Sequence, residues 1–186
     1  MGHRQNQNDQ QHLQKFIIID SDQVRKLLTE SILIHHLQSS ISNDTINCPQ
    51  RQNLCINDNT NRNAPPGQLL MMPAWSQSPA TPYIGVKLVT AFPHNTHMGM
   101  PGINASNLLS DSFTGSPLAF IDGTEITHWR TSCISALAAS YLARQDAHVL
   151  AMVGAGQLAP YLIRAHLSMR PSLKRVIIWN RTPFKA

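Results

Sequence analysis

The stretch HVLAMVGAGQLAP, residues 148–160, decides the fold. His148 to Val153 is an apolar run of strand length, and it leads directly into Gly154-Ala155-Gly156-Gln157-Leu158-Ala159. A helical pattern follows through Leu158, Leu162, Ala165 and Met169, so the order is strand, glycine turn, helix. In a dinucleotide-binding unit Gly154 permits the tight turn, Gly156 lets backbone approach a pyrophosphate, and small Ala159 lets helix and strand pack closely. Free N–H groups at the helix start face the anion. Pro160 fits, because a proline in the first helical turn has no intrahelical N–H to lose.

Working outward, the helix ends at Arg170, Pro171 restarts the chain, and Arg175-Val-Ile-Ile-Trp179 supplies a second parallel strand. Where an enzyme using NAD places an acid on the ribose 2′-hydroxyl, this chain has Asn180, Arg181 and Thr182. A guanidinium and a hydroxyl suit a 2′-phosphate, so NADPH is expected ahead of NADH. Upstream, after Thr127, Ile134, Leu137, Ala138, Tyr141 and Leu142 share a helical face. This reading puts Arg130 and Thr131 in the first turn, near unpaired N–H groups. Cys133 falls beside them and reads as a small buried core residue ahead of a thiol with lowered pKa.

From Leu69 to Gly123 short apolar runs alternate with turn signals: LLMM stopped by Pro73, YIGVKLVTAF stopped by Pro93, NASNLLSD, the turn Ser112–Gly115, and PLAFI closed by Asp122 and Gly123. This spacing predicts a meandering sheet. Further upstream, FIIID reads as a strand running into an N-cap at Asp20 or Ser21, with Val24, Leu27 and Leu28 on one helical face. A second helix from Ser31 to about Ile41 presents Leu33, Leu37 and Ile41. Residues 43–67 are polar and loop-rich around a short strand at Gln52–Asn57. Residues 1–15, without apolar periodicity, read as a disordered lead. That lead has neither the apolar core of a signal peptide nor the Ser-rich character of a transit peptide, and Gly2 lacks the context for myristoylation.

The 186 residues suffice for one domain and a piece of a second. No run approaches the roughly 18 apolar residues of a membrane-spanning helix. Three cysteines make no disulfide framework and have no zinc-site spacing, which suits a reducing compartment. Only 13% of residues are charged, and the net charge is +5. Residues 1–146 hold 9 Lys and Arg and all 10 acids, so the whole positive excess lies after them. A basic tail for nucleic acid is disfavoured, because these cations alternate with core positions and have only Trp179 for stacking. His94 and His97 lack a third ligand at metal-site spacing. Ser112, Thr114 and His128 form no nucleophile arrangement.

LLMMPAW, GVKLVTAFPHN, MPGINASNLLSDSFTGSPLAFIDGTEITHWRTSCISALAASYLA, LAMVGAGQLAP and RVIIWNRTP, in this order, closely resemble the ornithine cyclodeaminase and mu-crystallin family. That family includes the plant ketimine (piperideine-2-carboxylate) reductase of pipecolate synthesis, to which the WNRTP and PHN segments are similar. The resemblance runs over roughly residues 69–186. It implies an α/β protein: an N-terminal mixed sheet that carries substrate binding and dimerisation, followed by a Rossmann NAD(P)-binding domain. The expected division is a lead over 1–15, a substrate and dimerisation domain over 16–128, and the first, incomplete part of the Rossmann domain over 129–186.

The resemblance further implies NAD(P)H-dependent reduction of a cyclic ketimine carboxylate by a homodimer, with no nucleic acid, membrane or metal involved. Lys87, Arg51 and Arg130 match the family's residues for the substrate carboxylate and the reacting centre. Gly154, Gly156, Gln157, Leu158, Asn180, Arg181, Thr182, Thr131, Gly102 and Ile103 match positions lining the cofactor. The chemistry agrees: arginines can hold a carboxylate through paired N–H bonds, and Lys87 in a closed site can lend a charge or a proton. The family continues past the second Rossmann strand and carries an essential aspartate of the cyclodeaminases there. The expectation is therefore a truncated chain with Val176, Ile177 and Ile178 partly exposed. Ornithine cyclisation and non-catalytic NADPH binding are the alternatives, in plastid or cytoplasm.

Overall fold

The computed structural model describes residues 16–43, 45–56 and 65–182. The expected disordered lead over 1–15 lies outside them, as does Asn57 at the end of the expected short strand. The chain forms β1 (Ile17–Ile19), α1 (Ser21–Leu27), α2 (Glu30–Asn43), β2 (Ile46–Asn47), β3 (Gln52–Ile56), β4 (Gly67–Ser76), β5 (Tyr83–Ala91), a 3-10 turn (Pro93–Met98), β6 (Ile103–Asp111), β7 (Pro117–Asp122), α3 (Gly123–Leu142), β8 (Val149–Val153), α4 (Ala159–Met169) and β9 (Arg175–Trp179). The expected mixed α/β class is observed: a seven-stranded sheet contains the antiparallel meander β4 to β7, and β1 joins β7 in parallel. A separate pair, β8 and β9, is parallel. No helix among the described residues is long and apolar enough to cross a membrane.

Alternation sorts the large sheet into two faces. Ile19 and Ile121 pack against a core of Val24, Ile34, Trp129, Cys133, Ala136, Leu137 and Ala165, contributed by all four helices. Their neighbours Ile18 and Phe120 point the other way and are exposed. Asp20 caps α1 in a reciprocal capping box with Gln23. Arg170, at the end of α4, is buried, and its guanidinium donates to the carbonyls of Ala139 and Arg144 at the end of α3.

Three local expectations are corrected, and the reading of Cys133 is decided. Pro73 does not stop its strand, because β4 continues to Ser76. It stands between the residues that pair with β3, ending at Met71, and those that pair with β2, starting at Trp75, where a missing N–H costs least. Helix α3 starts at Gly123, because Asp122 Oδ1 accepts the Glu125 N–H, so Arg130 and Thr131 lie beyond the first turn. Cys133 is fully buried, as the core reading expects, and burial pushes its thiol up to about 11, which removes the alternative of a lowered pKa. Leu27, Ile41, Tyr141 and Leu142 follow the helical phase yet are exposed.

Candidate active site

Gly123 sets the distance between α3 and the sheet. A Cβ there would lie 2.6 Å from the Ser106 nitrogen, so only glycine lets the helix start so close to β6. Thr124 Oγ1 then accepts the Ala105 N–H at 3.0 Å. Beyond this contact helix and sheet enclose a cavity of about 350 Å3. Lys87, Val89 and Ala105 face it from the sheet, Thr124, Thr127 and His128 from α3, and Gln157 and Leu158 from the glycine turn. A second cavity of about 420 Å3 adjoins it, sharing Ile103, Thr124, His128 and Gln157 and reaching Glu125 and Tyr161.

Lys87 is the cation facing the first cavity. Its Nζ donates to Thr127 Oγ1 at 2.7 Å, and the Thr127 hydroxyl donates to the Gly123 carbonyl at 2.5 Å. Burial, and after it the Arg130 guanidinium, hold the Lys87 amine below the usual lysine range. Across the sheet Lys87 pairs with Met72 on one side and Asn107 on the other. Arg51 directly precedes β3, which pairs with β4, so it lies beside the second strand over from β5 and Lys87. Arg51 and Arg130 are both exposed, and Thr131 is half-buried.

The adjoining wall is braced by Glu125. This buried carboxylate accepts from Arg25 at 2.6 Å, Trp129 Nε1 at 2.9 Å and the Tyr161 hydroxyl at 2.7 Å. The Tyr161 ring lies 5.0 Å from that of His128, and the Arg164 guanidinium stands over the Tyr161 ring at 4.7 Å while pairing with Glu30. Among the described residues, the buried side-chain polar atoms without a partner are Asn107 Nδ2 and His128 Nδ1. One belongs to the cross-strand neighbour of Lys87 and the other to the residue after Thr127. Thr127, His128 and Asn107 escaped the sequence reading. The available signal was a polar residue in phase with Ala105 and Leu109 on β6, and a threonine one turn before Arg130.

The glycine turn has the shape of an anion cradle. Gly154 sits at φ +107°, a conformation that favours glycine, and a Cβ added at Gly156 would meet nothing within 4 Å. The Gly154 N–H donates to Trp179 O at 2.7 Å, and the Ala155 N–H to Asn180 Oδ1 at 3.2 Å. Asn180 Nδ2 in turn donates to Thr182 O, so this amide ties the end of β9 to the turn. Exposed Arg181 and half-buried Thr182 follow. Open space at Gly156 beside the start of a helix fits the pyrophosphate of a dinucleotide. Of the sequence-derived residues, Lys87, Ile103, Gln157 and Leu158 meet in one cavity. Gly102 sits behind Ile103, its carbonyl accepting the Phe92 N–H. Gly154, Gly156 and Asn180 to Thr182 form the far end of the turn, and Arg51 stands apart on the outer strands.

A family model described as the ornithine cyclodeaminase/mu-crystallin family matches residues 30–186. Protein SAR DEFICIENT 4 of Arabidopsis thaliana is 46% identical over 172 residues, covering 91% of this chain and 51% of that protein. A Delta(1)-pyrroline-2-carboxylate reductase of Colwellia psychrerythraea is 37% identical over 171 residues, 90% of this chain and 51% of its own. The structure of Thermococcus litoralis Delta(1)-pyrroline-2-carboxylate reductase in complex with NADH and L-proline superimposes with a TM-score of 0.77 at 29% identity, covering 91% of this chain and 50% of that one. The chain spans about half the length of the curated relatives it matches.

Proposed function

Because the chain belongs to the ornithine cyclodeaminase/mu-crystallin family, we propose that the protein these residues form part of reduces a cyclic ketimine carboxylate with NADPH, giving a cyclic amino acid of the pipecolate type. The observation that carries this reading is Lys87, held by Thr127 in a cavity whose opposite wall is Gln157 and Leu158 of the glycine turn. The relatives named as pyrroline-2-carboxylate reductases, one of them holding NADH and L-proline, support the substrate class.

When bound, the dinucleotide supplies a hydride to the imine carbon. As the C=N π bond breaks, its electron pair goes to nitrogen, and the Lys87 ammonium is the group positioned to protonate that nitrogen and be left as an amine. Arg130 and Arg51 are the cations assigned to the substrate carboxylate, which would aim the ring; Arg51 would have to come to it from the outer strands. Gly154 and Gly156, with Gln157, Leu158 and Thr131, receive the pyrophosphate side of the cofactor; Gly102 and Ile103 flank it. Asn180, Arg181 and Thr182 face the adenosine ribose, and the absence of an acid there supports NADPH over NADH. The division at residue 128 is proposed as a functional one, since α3 itself runs unbroken from 123 to 142. A homodimer, in plastid or cytoplasm, completes the proposal.

The test is ketimine-dependent oxidation of NADPH and of NADH, with piperideine-2-carboxylate and pyrroline-2-carboxylate compared. Turnover favouring NADPH and the six-membered ring, lost in Lys87→Ala, is the expected result. Ammonia release from ornithine without net cofactor consumption would replace the reading with cyclodeamination, and tight NADPH binding without turnover would leave only a binding protein.

A further inference from the structure

We infer that Thr127 is a positioning residue that fixes where the Lys87 amine stands and leaves its remaining valences to the cavity. The inference rests on the reading of Lys87 as the group that serves the imine nitrogen. Three features of the fold carry it. Gly123 brings the first turn of α3 against the β6 backbone, leaving no room for a Cβ. Four residues later, on the same helical face, Thr127 reaches the row in which β5 presents Lys87. The two side chains meet at 2.7 Å.

The direction of the bonds matters more than their number. A threonine hydroxyl has one proton, and here it is given to the Gly123 carbonyl at 2.5 Å. Toward Lys87 the oxygen can therefore only accept. An ammonium spends one N–H on Thr127 and keeps two for the cavity. Once it has given a proton away, the neutral amine keeps the same N–H···O bond, and Thr127 offers no proton to compete for the new lone pair. The donor is thus held in one place through both halves of a proton transfer, without reorganisation of the wall.

The other groups around Lys87 make no hydrogen bond to its amine in the structure. Arg130 on α3 repels it, His128 lines the same cavity, and Arg51 stands two strands away. Glu125 and Tyr161 belong to the adjoining cavity and are engaged with each other. Asn107, opposite Lys87 on β6, is uncharged. Among these, Thr127 is the residue whose bond to Nζ is formed in the structure.

Carbon-13 labelling of the lysine ε-carbons in the protein that contains this chain follows their titrations, with Lys87 assigned by its loss in Lys87→Arg. In Thr127→Val the ammonium loses an acceptor, and the Lys87 titration is expected to move to lower pH by about one unit. The high-pH limb of kcat for ketimine reduction should move with it, kcat falling on the order of tenfold with a smaller change in KM. Thr127→Ser, which keeps the hydroxyl, is expected to restore both. Thr127→Ala serves the same comparison if the valine variant does not fold. A folded variant without the hydroxyl whose Lys87 titrates as in the parent overturns the inference. A shifted titration in a protein that reduces no ketimine upholds the placement by Thr127 and rejects the proposed reaction.

Discussion

At the residue scale, Lys87 shows how the site works against the fold. It stands on the helix-covered face of β5, where burial and Arg130 disfavour its charge. The folded-state pKa lies below 10.5, so between that lowered value and 10.5 the unfolded chain binds more protons and stability rises with pH. Below that window the full penalty is present. Lys87→Met is therefore expected to abolish ketimine reduction yet raise stability near neutral pH by on the order of 1 kcal/mol, with the gap closing as pH approaches 10.5. Thermal melts of parent and variant across that range check it, and a variant less stable than the parent at neutral pH defeats the argument. Lys87 was visible in the sequence as a charge interrupting an apolar strand and as a family position. Its partners were not visible, because Thr127 and Asn107 reach it only through the start of α3 and the register of β6.

At the element scale, legibility followed the range of the interactions. The β8–turn–α4–β9 unit was readable because glycine, proline and apolar period act within a few residues. The start of α3 was misread because Asp122 does two jobs, ending β7 and capping the helix. Helical phase also says which residues share a face but not where that face finds a partner, hence the exposed Tyr141 and Leu142 at the end of α3. That end is held instead by Arg170, whose guanidinium serves the carbonyls of Ala139, Ala143 and Arg144 and the Gln145 side chain. Arg170→Ala leaves these groups without their buried donor and is expected to cost about 1–3 kcal/mol, read as a lowered denaturation midpoint. Arg170→Lys should recover only part, since an ammonium cannot span several carbonyls as a planar fork does. Full recovery by lysine would reduce the cap to a matter of charge.

At the scale of the whole molecule, the C-terminal positive charge is not a tail. Arg164 pairs with Glu30 and Arg170 caps α3, so two of its six cations hold helices together. What remains unsatisfied is apolar. Helices cover one face of the seven-stranded sheet, and on the other Ile18, Phe120, Leu108, Val86 and Pro73 form a row across five strands, with Ile18 69% and Phe120 42% exposed. The core cluster lies on the helix-covered face and includes none of that row. A contiguous apolar band of this kind suits contact with another apolar surface, and a two-fold axis would set the row against its own copy. We therefore propose this face as the contact of the homodimer. Phe120→Lys places a charge within that row without touching the helix-covered side, where the flanking Ala119 and Ile121 point. Sedimentation equilibrium is expected to give a dimer for the parent and a monomer for the variant, with the far-ultraviolet circular dichroism of the two alike. A variant that still sediments as a dimer would move the interface elsewhere, because a lysine on each copy within an apolar isologous contact would be buried without a partner.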